Sequence, residues 1–481
     1  MDMFNARFFR VYRMILCAVL VVILLPTLAL CVYDRPQSDD LQQPRPVAAA
    51  WRETGSLGKT FLAAVQATRD IYFDYSGIFF SMLLMVFPFS VFHYTLIGLN
   101  AALAVVLLVG AMFRLAFCAR DLCPDAPGEA VHCLGLLMAI FVLLLMPSYY
   151  EGIYWATSAI NYACIVAMSV FLFASVCHGL CTGCIPVWKL ALWCVGFFCL
   201  GGSNWQSSTS SIVIYGLLAL GVLLLRKPKR LLLPFAFLLA GYLVAVCAPG
   251  NFARQDHMGV EKALVSTLVY SLSQGGRFFF SDVRFWLFVP LYLPVLAALC
   301  RHSRLSFRYP LLVTAASVCV MGSAMFPLYY LSSYWAARHT NTCFMLLSML
   351  LPINLFYWCG WLMCRIKLPT VRPAAFGAAA LACLLALGGQ SFTEPKPSGC
   401  TLGPVQAAIT LVDGTAHYYA QWYDDLVEDF QSRPGEDVVI SYQVENRLLS
   451  PYGTLTDDPA WWENEAFAGF YGNGNTAAYR P

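Results

Sequence analysis

The stretch Val11–Val32, VYRMILCAVLVVILLPTLALCV, runs directly into Tyr33-Asp34-Arg35-Pro36-Gln37-Ser38-Asp39-Asp40, and this junction decides the fold. As a helix, the apolar run is long enough to cross a hydrocarbon layer of about 30 Å. Arg7, Arg10 and Arg13 stand on its N-terminal side. It is long for a secretory signal, and no A-x-A cleavage site follows it. Leu28-Ala29-Leu30-Cys31 carries Leu where a lipoprotein signal needs a small residue. A retained anchor is therefore expected, with the Asp39-Asp40 pair just beyond the membrane exit. By themselves two carboxylates in that place are a solvated loop. Their meaning depends on what else reaches the same side.

The rest of the chain repeats the pattern. Hydrophobic residues are 59% of the 481 and charged residues 12%, about half the charge of a soluble domain. The apolar residues fall in blocks of about 20, the length of a membrane-spanning helix. This composition predicts an all-α polytopic membrane protein. A net charge of +3, spread along the chain, gives nucleic acid nothing to bind. Most of the nineteen cysteines, such as Cys17, Cys164, Cys194, Cys199 and Cys247, lie inside apolar blocks, and a disulfide framework is not expected.

The candidate spans are 11–32, one within 77–117, 131–148, 161–180, 188–202, 210–225, 231–248, 285–300, 309–328, 342–363 and 373–389, about 11 in all. With the N-terminus inside, the short inner loops hold Arg114 and Arg120, Arg226 to Arg230, Arg301 to Arg308, and Arg365 to Arg372, as the positive-inside rule requires. Placing two spans within 77–117 would invert this, so one span near 91–117 is expected after an interfacial helix, Gly77–Phe87. Residues 264–284 suit a second amphipathic segment lying on the membrane. The membrane part, 1–389, includes an outer loop, 33–76. It is followed by a polar tail, 390–481, expected outside as a small α+β cap with a strand near Asp437–Val444 and the run Trp461-Trp462-Glu463-Asn464.

This topology collects the unusual residues on the outer face. Asp39, Asp40 and Glu151 supply carboxylates able to take a proton from a hydroxyl or to hold a divalent cation such as Mg or Mn, with no cofactor otherwise required. Arg254, Arg277, Arg338 and His339 suit phosphate oxygens. Tyr150, Tyr154, Trp155, Tyr334 and Trp335 offer flat surfaces to a sugar or a lipid chain. Asn161, Asn204 and Asn251 stand in the same loops. Each group alone has a plainer explanation, as solvated surface, interfacial anchor or turn. Cys181-Thr182-Gly183-Cys184, with His178, Cys118 and Cys123, has the residue types of a zinc site in a very short loop. No phosphate-binding glycine loop, H-E-x-x-H or G-x-S-x-G is present.

Taken in order, Ser38-Asp39-Asp40, Glu151-Gly152-Ile153-Tyr154-Trp155 with Asn161-Tyr162, Gly202-Ser203-Asn204, Ala248-Pro249-Gly250-Asn251 with Arg254, and Arg338 opening a late span cover roughly residues 11–345. In that order the chain resembles GT-C-type membrane glycosyltransferases, in particular a bacterial family of multi-pass proteins related to them. It departs from that family at Ser76-Gly77-Ile78, where a Gly-Arg pair is common, and at Trp205-Gln206, where an acidic residue is common. The resemblance implies a GT-C-like fold in the bacterial inner (plasma) membrane and an inverting sugar transfer on the outer face. It implies a polyprenyl-phosphate-linked sugar donor and a glycan, lipid or protein acceptor. Asp39 or Asp40 would then serve as general base, and Arg254 and Arg338 would hold the departing lipid phosphate. Two other functions fit the same outer face: a transporter or flippase for a lipid-linked glycan, and a non-catalytic subunit of an envelope-glycan assembly system.

Overall fold

The computed structural model describes residues 5–183, 185–258, 263–331, 335–366, 373–392, 400–472 and 476–480. Regular structure among them is almost entirely helical, as hydrocarbon demands of a chain that must pair every N–H and C=O within itself. Eight helices are long and apolar enough to cross a membrane: Ala6–Tyr33, Tyr94–Leu122, Ala156–Thr182, Trp205–Leu224, Lys229–Val246, Val283–Arg301, Pro310–Leu331 and Ala337–Met363. The other three expected spans are helices too, but shorter: Gly128–Leu144, Val187–Gly201 and Ala375–Ser391. Among the described residues, length and composition alone qualify eight of the eleven expected spans. Gly128–Leu144 is buried along almost its whole length, between the first helix and helices Gly98–Phe117, Val283–Arg301 and Ala337–Met363. A helix so enclosed meets protein on all sides.

The region 77–117 contains one long apolar helix, as expected. It is preceded by a short helix, Phe79–Met85, and by two tight turns, Phe89–Val91 and Tyr94–Leu96, that follow Pro88. The expectation for 264–284 needs revision. Helix Leu264–Ser281 lies antiparallel along Pro310–Leu331, with the Tyr270 and Tyr329 rings 4.8 Å apart and Gly276 beside Val318. Gly275 and Gly322 let the two backbones touch where a side chain would collide. The polar stripe Thr267, Ser271 and Gly275 is thus buried against a helix instead of facing a membrane surface.

The bundle has two unlike ends. One gathers the basic loops, where Arg13 pairs with Glu129 at 2.8 Å and the Arg304 N–H reaches the Leu122 carbonyl at 3.0 Å. The other gathers residues 34–43, the chain around 148–162, the turn at 201–204, helix Pro249–Met258, the start of Ala337–Met363, and the tail.

The tail packs as part of this second end. Helix Gly403–Val412 lies against the first helix, and helices Thr415–Ser432 and Trp462–Tyr471 follow. The expected strand is three residues long, Val438–Ile440, and pairs in parallel with Ala477–Tyr479. Asp34, Arg35 and Gln37 are buried between tail and bundle. Arg35 grips Asp424 through two bonds of 2.7 Å, and the Tyr423 hydroxyl donates to the Pro36 carbonyl at 2.7 Å. Gln37 donates to the Tyr419 hydroxyl at 2.8 Å and to the Leu449 carbonyl.

Candidate functional site

Past Gln37 the chain enters a single helical turn, Asp39–Gln42. Neighbouring helical residues point about 100° apart, so the two aspartates separate. Asp39 lines a cavity. Asp40 is 2% exposed, and its Oδ1 accepts the Thr157 N–H at 2.7 Å and the Thr157 hydroxyl at 2.6 Å. Burial pushes the Asp40 carboxyl up to about 7 despite those two bonds, and the neighbouring Asp39 adds to the rise. Burial also raises Asp39 above the usual carboxylate range. Arg338 and a bond from Gln43 pull it back, while Glu463 pushes it further up.

The opposite wall is built from an irregular run. Two π-helical turns, Tyr150–Tyr154 and Ala159–Cys164, flank a short helical piece at Ala156–Ser158. Such turns re-aim side chains and leave backbone groups free. Here they place Glu151, Trp155, Thr157 and Asn161 around one end of helix Ala337–Met363. Glu151 Oε2 accepts the Arg338 backbone N–H at 2.6 Å and stands 3.7 Å from the Arg338 guanidinium. Its charge therefore caps the positive end of that helix. Asn341 locks the same junction by accepting the Ser148 N–H at 2.9 Å and donating to the Ser148 carbonyl at 2.8 Å.

Arg338 is the hub of the site. Its guanidinium lies 5.2 Å from the centre of the Trp155 ring, which stacks in parallel on Tyr150 at 5.9 Å. The Tyr162 hydroxyl lies within electrostatic reach of both Arg338 and Arg254. His339 accepts the Ala336 N–H on Nδ1 at 3.1 Å, so its proton belongs on Nε2, 3.3 Å from the Tyr162 oxygen. The imidazole is neutral in that arrangement.

Asn251, Asn204 and Arg254 complete the wall. The Asn251 amide accepts the Gly77 N–H at 2.9 Å and donates to the Ala245 carbonyl at 2.7 Å. Residue 77 must be glycine here, since a Cβ would collide with that same carbonyl. Asn204 caps helix Trp205–Leu224 by accepting the Ser207 N–H at 2.9 Å, and its amide donates to the Asn161 carbonyl. Both asparagines reach the cavity with most of their hydrogen bonds already made. Arg254 is exposed, its guanidinium 4.7 Å from the Tyr75 ring centre. Among the described residues it forms no ion pair.

The cavity enclosed by these elements has a volume of about 510 Å³, within the usual range for a small-molecule site. Of the residues singled out in the sequence, Asp39, Trp155, Asn161, Asn204, Asn251, Arg254, Arg338 and His339 line it. Asp40 and Glu151 stand behind the wall and hold it in shape. Tyr154 is a core residue, 1% exposed, whose hydroxyl donates to the Thr27 carbonyl at 3.0 Å. Arg277 is exposed on the Leu264–Ser281 helix and does not line the cavity. Tyr334 and Cys184 lie outside the described residues. Among the described residues, no group of three His, Cys, Asp or Glu side chains could hold a metal ion.

One carboxyl and two guanidiniums are therefore the charged groups of the lining, and the rest divides by polarity. Asn161, Tyr162, Gln206 and His339 are among its polar residues. Met82, Met85, Val246, Phe252, Phe326 and Leu331 are among its apolar ones, of which Phe252 and Leu331 are exposed. Thr157, Tyr75 and Gln43 had no signal in the sequence: a lone hydroxyl, ring or amide carries none until the fold supplies a partner. The chain matches no protein-family model, and no curated protein matches it.

Proposed function

We propose that this protein is a membrane glycosyltransferase that moves a sugar from a polyprenyl-phosphate-linked donor to an acceptor hydroxyl. The observation that carries the proposal is that Asp39, Arg254 and Arg338, from three distant parts of the chain, line one cavity together with apolar residues. In the proposed reaction Asp39 takes the proton of the acceptor hydroxyl as its oxygen attacks the anomeric carbon. The bond from that carbon to the phosphate oxygen breaks, and the lipid phosphate departs with the electron pair. Arg254 and Arg338 stand where that charge grows, which is where fixed cations lower a barrier most. A carboxyl held above its ordinary proton affinity is a better base near neutral pH than a free aspartate.

The wider expectations belong to the same proposal: eleven crossings of a bacterial inner membrane, with the basic end cytoplasmic and the tail outside. The short loops rich in arginine and lysine, around Arg114–Arg120, Arg226–Arg230 and Arg301–Arg308, support that orientation. The test is turnover of a lipid-linked sugar by the purified protein in lipid nanodiscs. Asp39→Asn is expected to lower turnover by about 10²–10⁴-fold and to leave the fold intact. Full turnover in that variant would remove the base, and flipping of the lipid-linked sugar without transfer would favour a carrier.

A further inference from the structure

Ser38 has φ 47° and ψ −117°, a conformation that a residue with a side chain adopts only when its surroundings impose it. It immediately precedes Asp39, so its backbone sets where the Asp39 carboxyl points. Its neighbours Gln37 and Asp40 are anchored by Tyr419 and Thr157, and the contact on Ser38 itself comes from the far end of the chain. The Ser38 hydroxyl donates to Glu463 Oε1 at 2.6 Å, while the second oxygen, Oε2, accepts the Trp461 indole N–H at 3.3 Å. Glu463 is itself held firmly. The next residue, Asn464, is fully buried, accepts the Thr456 N–H at 2.9 Å, and donates to the carbonyls of Thr456 and Asp458, each at 2.9 Å.

We infer that the C-terminal tail is a working part of the site, in which Glu463 clamps Ser38, fixes the direction of the Asp39 carboxyl into the cavity, and sets a second negative charge beside it. Glu463 is a positioning residue. The catalytic consequence rests on the proposal that Asp39 is the base, but the clamp does not. The charged and hydrogen-bonding groups facing Asp39 come from four places: Arg338 on its helix, Gln43 in the same loop, Asp40 behind it, and Glu463 on the tail. Of these Glu463 belongs to the tail and holds the residue that aims Asp39. Its negative charge opposes ionisation of Asp39, against the pull of Arg338.

The test is the pH dependence of Asp39 labelling by dicyclohexylcarbodiimide, which reacts with protonated carboxyls, on the full chain in nanodiscs, localised by fragment mass spectrometry. In the unaltered protein the midpoint is expected above the usual carboxylate range. Glu463→Gln, which keeps an acceptor for Ser38 and removes the charge, should lower the midpoint. Glu465→Gln, an exposed carboxylate two residues on, should leave it in place. Ser38→Ala keeps the charge and cuts the tether, so labelling at low pH should become several-fold faster with a smaller change in midpoint. An unchanged midpoint in Glu463→Gln would overturn the inference, whatever its melting temperature. Labelling requires no sugar substrate, so failure of this inference and absence of glycosyl transfer are separate results.

Discussion

Asp40→Asn distinguishes a buried structural acid from a catalytic one, and the structure gives the size of the effect. The Asp40 carboxyl moves from its ordinary value of 3.8 to about 7 on folding, which is worth about 4 kcal/mol at 1.36 kcal/mol per pH unit. The sign follows from proton counting. Between the two values the native protein holds a proton that the unfolded chain has released, so stability falls as pH rises through that window and levels off above about 7. Asparagine can accept both Thr157 bonds through its Oδ1 and carries no charge to desolvate. Below pH 4 the variant should lie within about 1 kcal/mol of the parent, the net worth of one altered hydrogen bond. At pH 8 it should be the more stable of the two. Asp34, also buried and held well above the carboxylate range by burial first and by Asp40 second, steepens the parent's slope and is relieved in the variant, in the same direction. The assay is apparent melting temperature in detergent from pH 4 to 8, scanned at one rate because unfolding of a membrane bundle is commonly irreversible. Parallel curves for parent and variant would refute the reasoning. A fall in turnover as deep as that of Asp39→Asn, with stability unaltered, would reverse the roles given to the two aspartates.

Arg338→Lys keeps the charge but loses the planar fork that spans Trp155, Tyr162 and Glu151; turnover is expected to fall at least tenfold, and Arg254→Gln should instead weaken binding of bare polyprenyl phosphate without loss of fold, both read in nanodiscs. Asp424→Asn removes the ionic partner of Arg35, whose side chain is only 7% exposed. It should lower stability by about 1–3 kcal/mol and expose residues 34–40 to hydrogen exchange, while protection of helix Ala337–Met363 stays as it was.

The membrane helices and the grouping of the site at one end were legible because both rest on local signals. Apolar blocks mark helices, and loop arginines mark an end. Helix count was less legible, since a helix such as Gly128–Leu144 is apolar all round whether it meets lipid or protein. The 264–284 segment misled for a related reason: a stripe of Thr267, Ser271 and Gly275 looks amphipathic, yet small polar residues are also what lets two helices approach closely. Within the site, Arg338 and Asp39 could be singled out as charged groups beside an expected span. The division of labour between Asp39 and Asp40 could not, because it depends on Thr157, brought there by an irregular turn. Nothing in Trp461-Trp462-Glu463-Asn464 announces a partner at Ser38, more than four hundred residues away.

The loose contact between Arg338 and Glu151 separates two demands that one residue pair would otherwise confuse. A tight bidentate ion pair would occupy the fork and leave nothing for a phosphate. Instead Glu151 gives its short bond, 2.6 Å, to the Arg338 backbone N–H, and the guanidinium stays 3.7 Å away. The carboxylate thereby stabilises the helix end and tempers the positive potential without closing the guanidinium's donors. Trp155 lies on one face of that guanidinium at 5.2 Å. In the proposed reaction an incoming phosphate would meet a guanidinium that Glu151 does not hold in a tight pair. The same geometry bears on Asp39, which burial first holds above the usual carboxylate range, against the pull of Arg338, with Glu463 adding a smaller push in the same direction as burial. A second anion that engages Arg338 would weaken its pull on Asp39 and favour proton uptake there, so in the proposed reaction donor binding and proton transfer would be linked through Arg338.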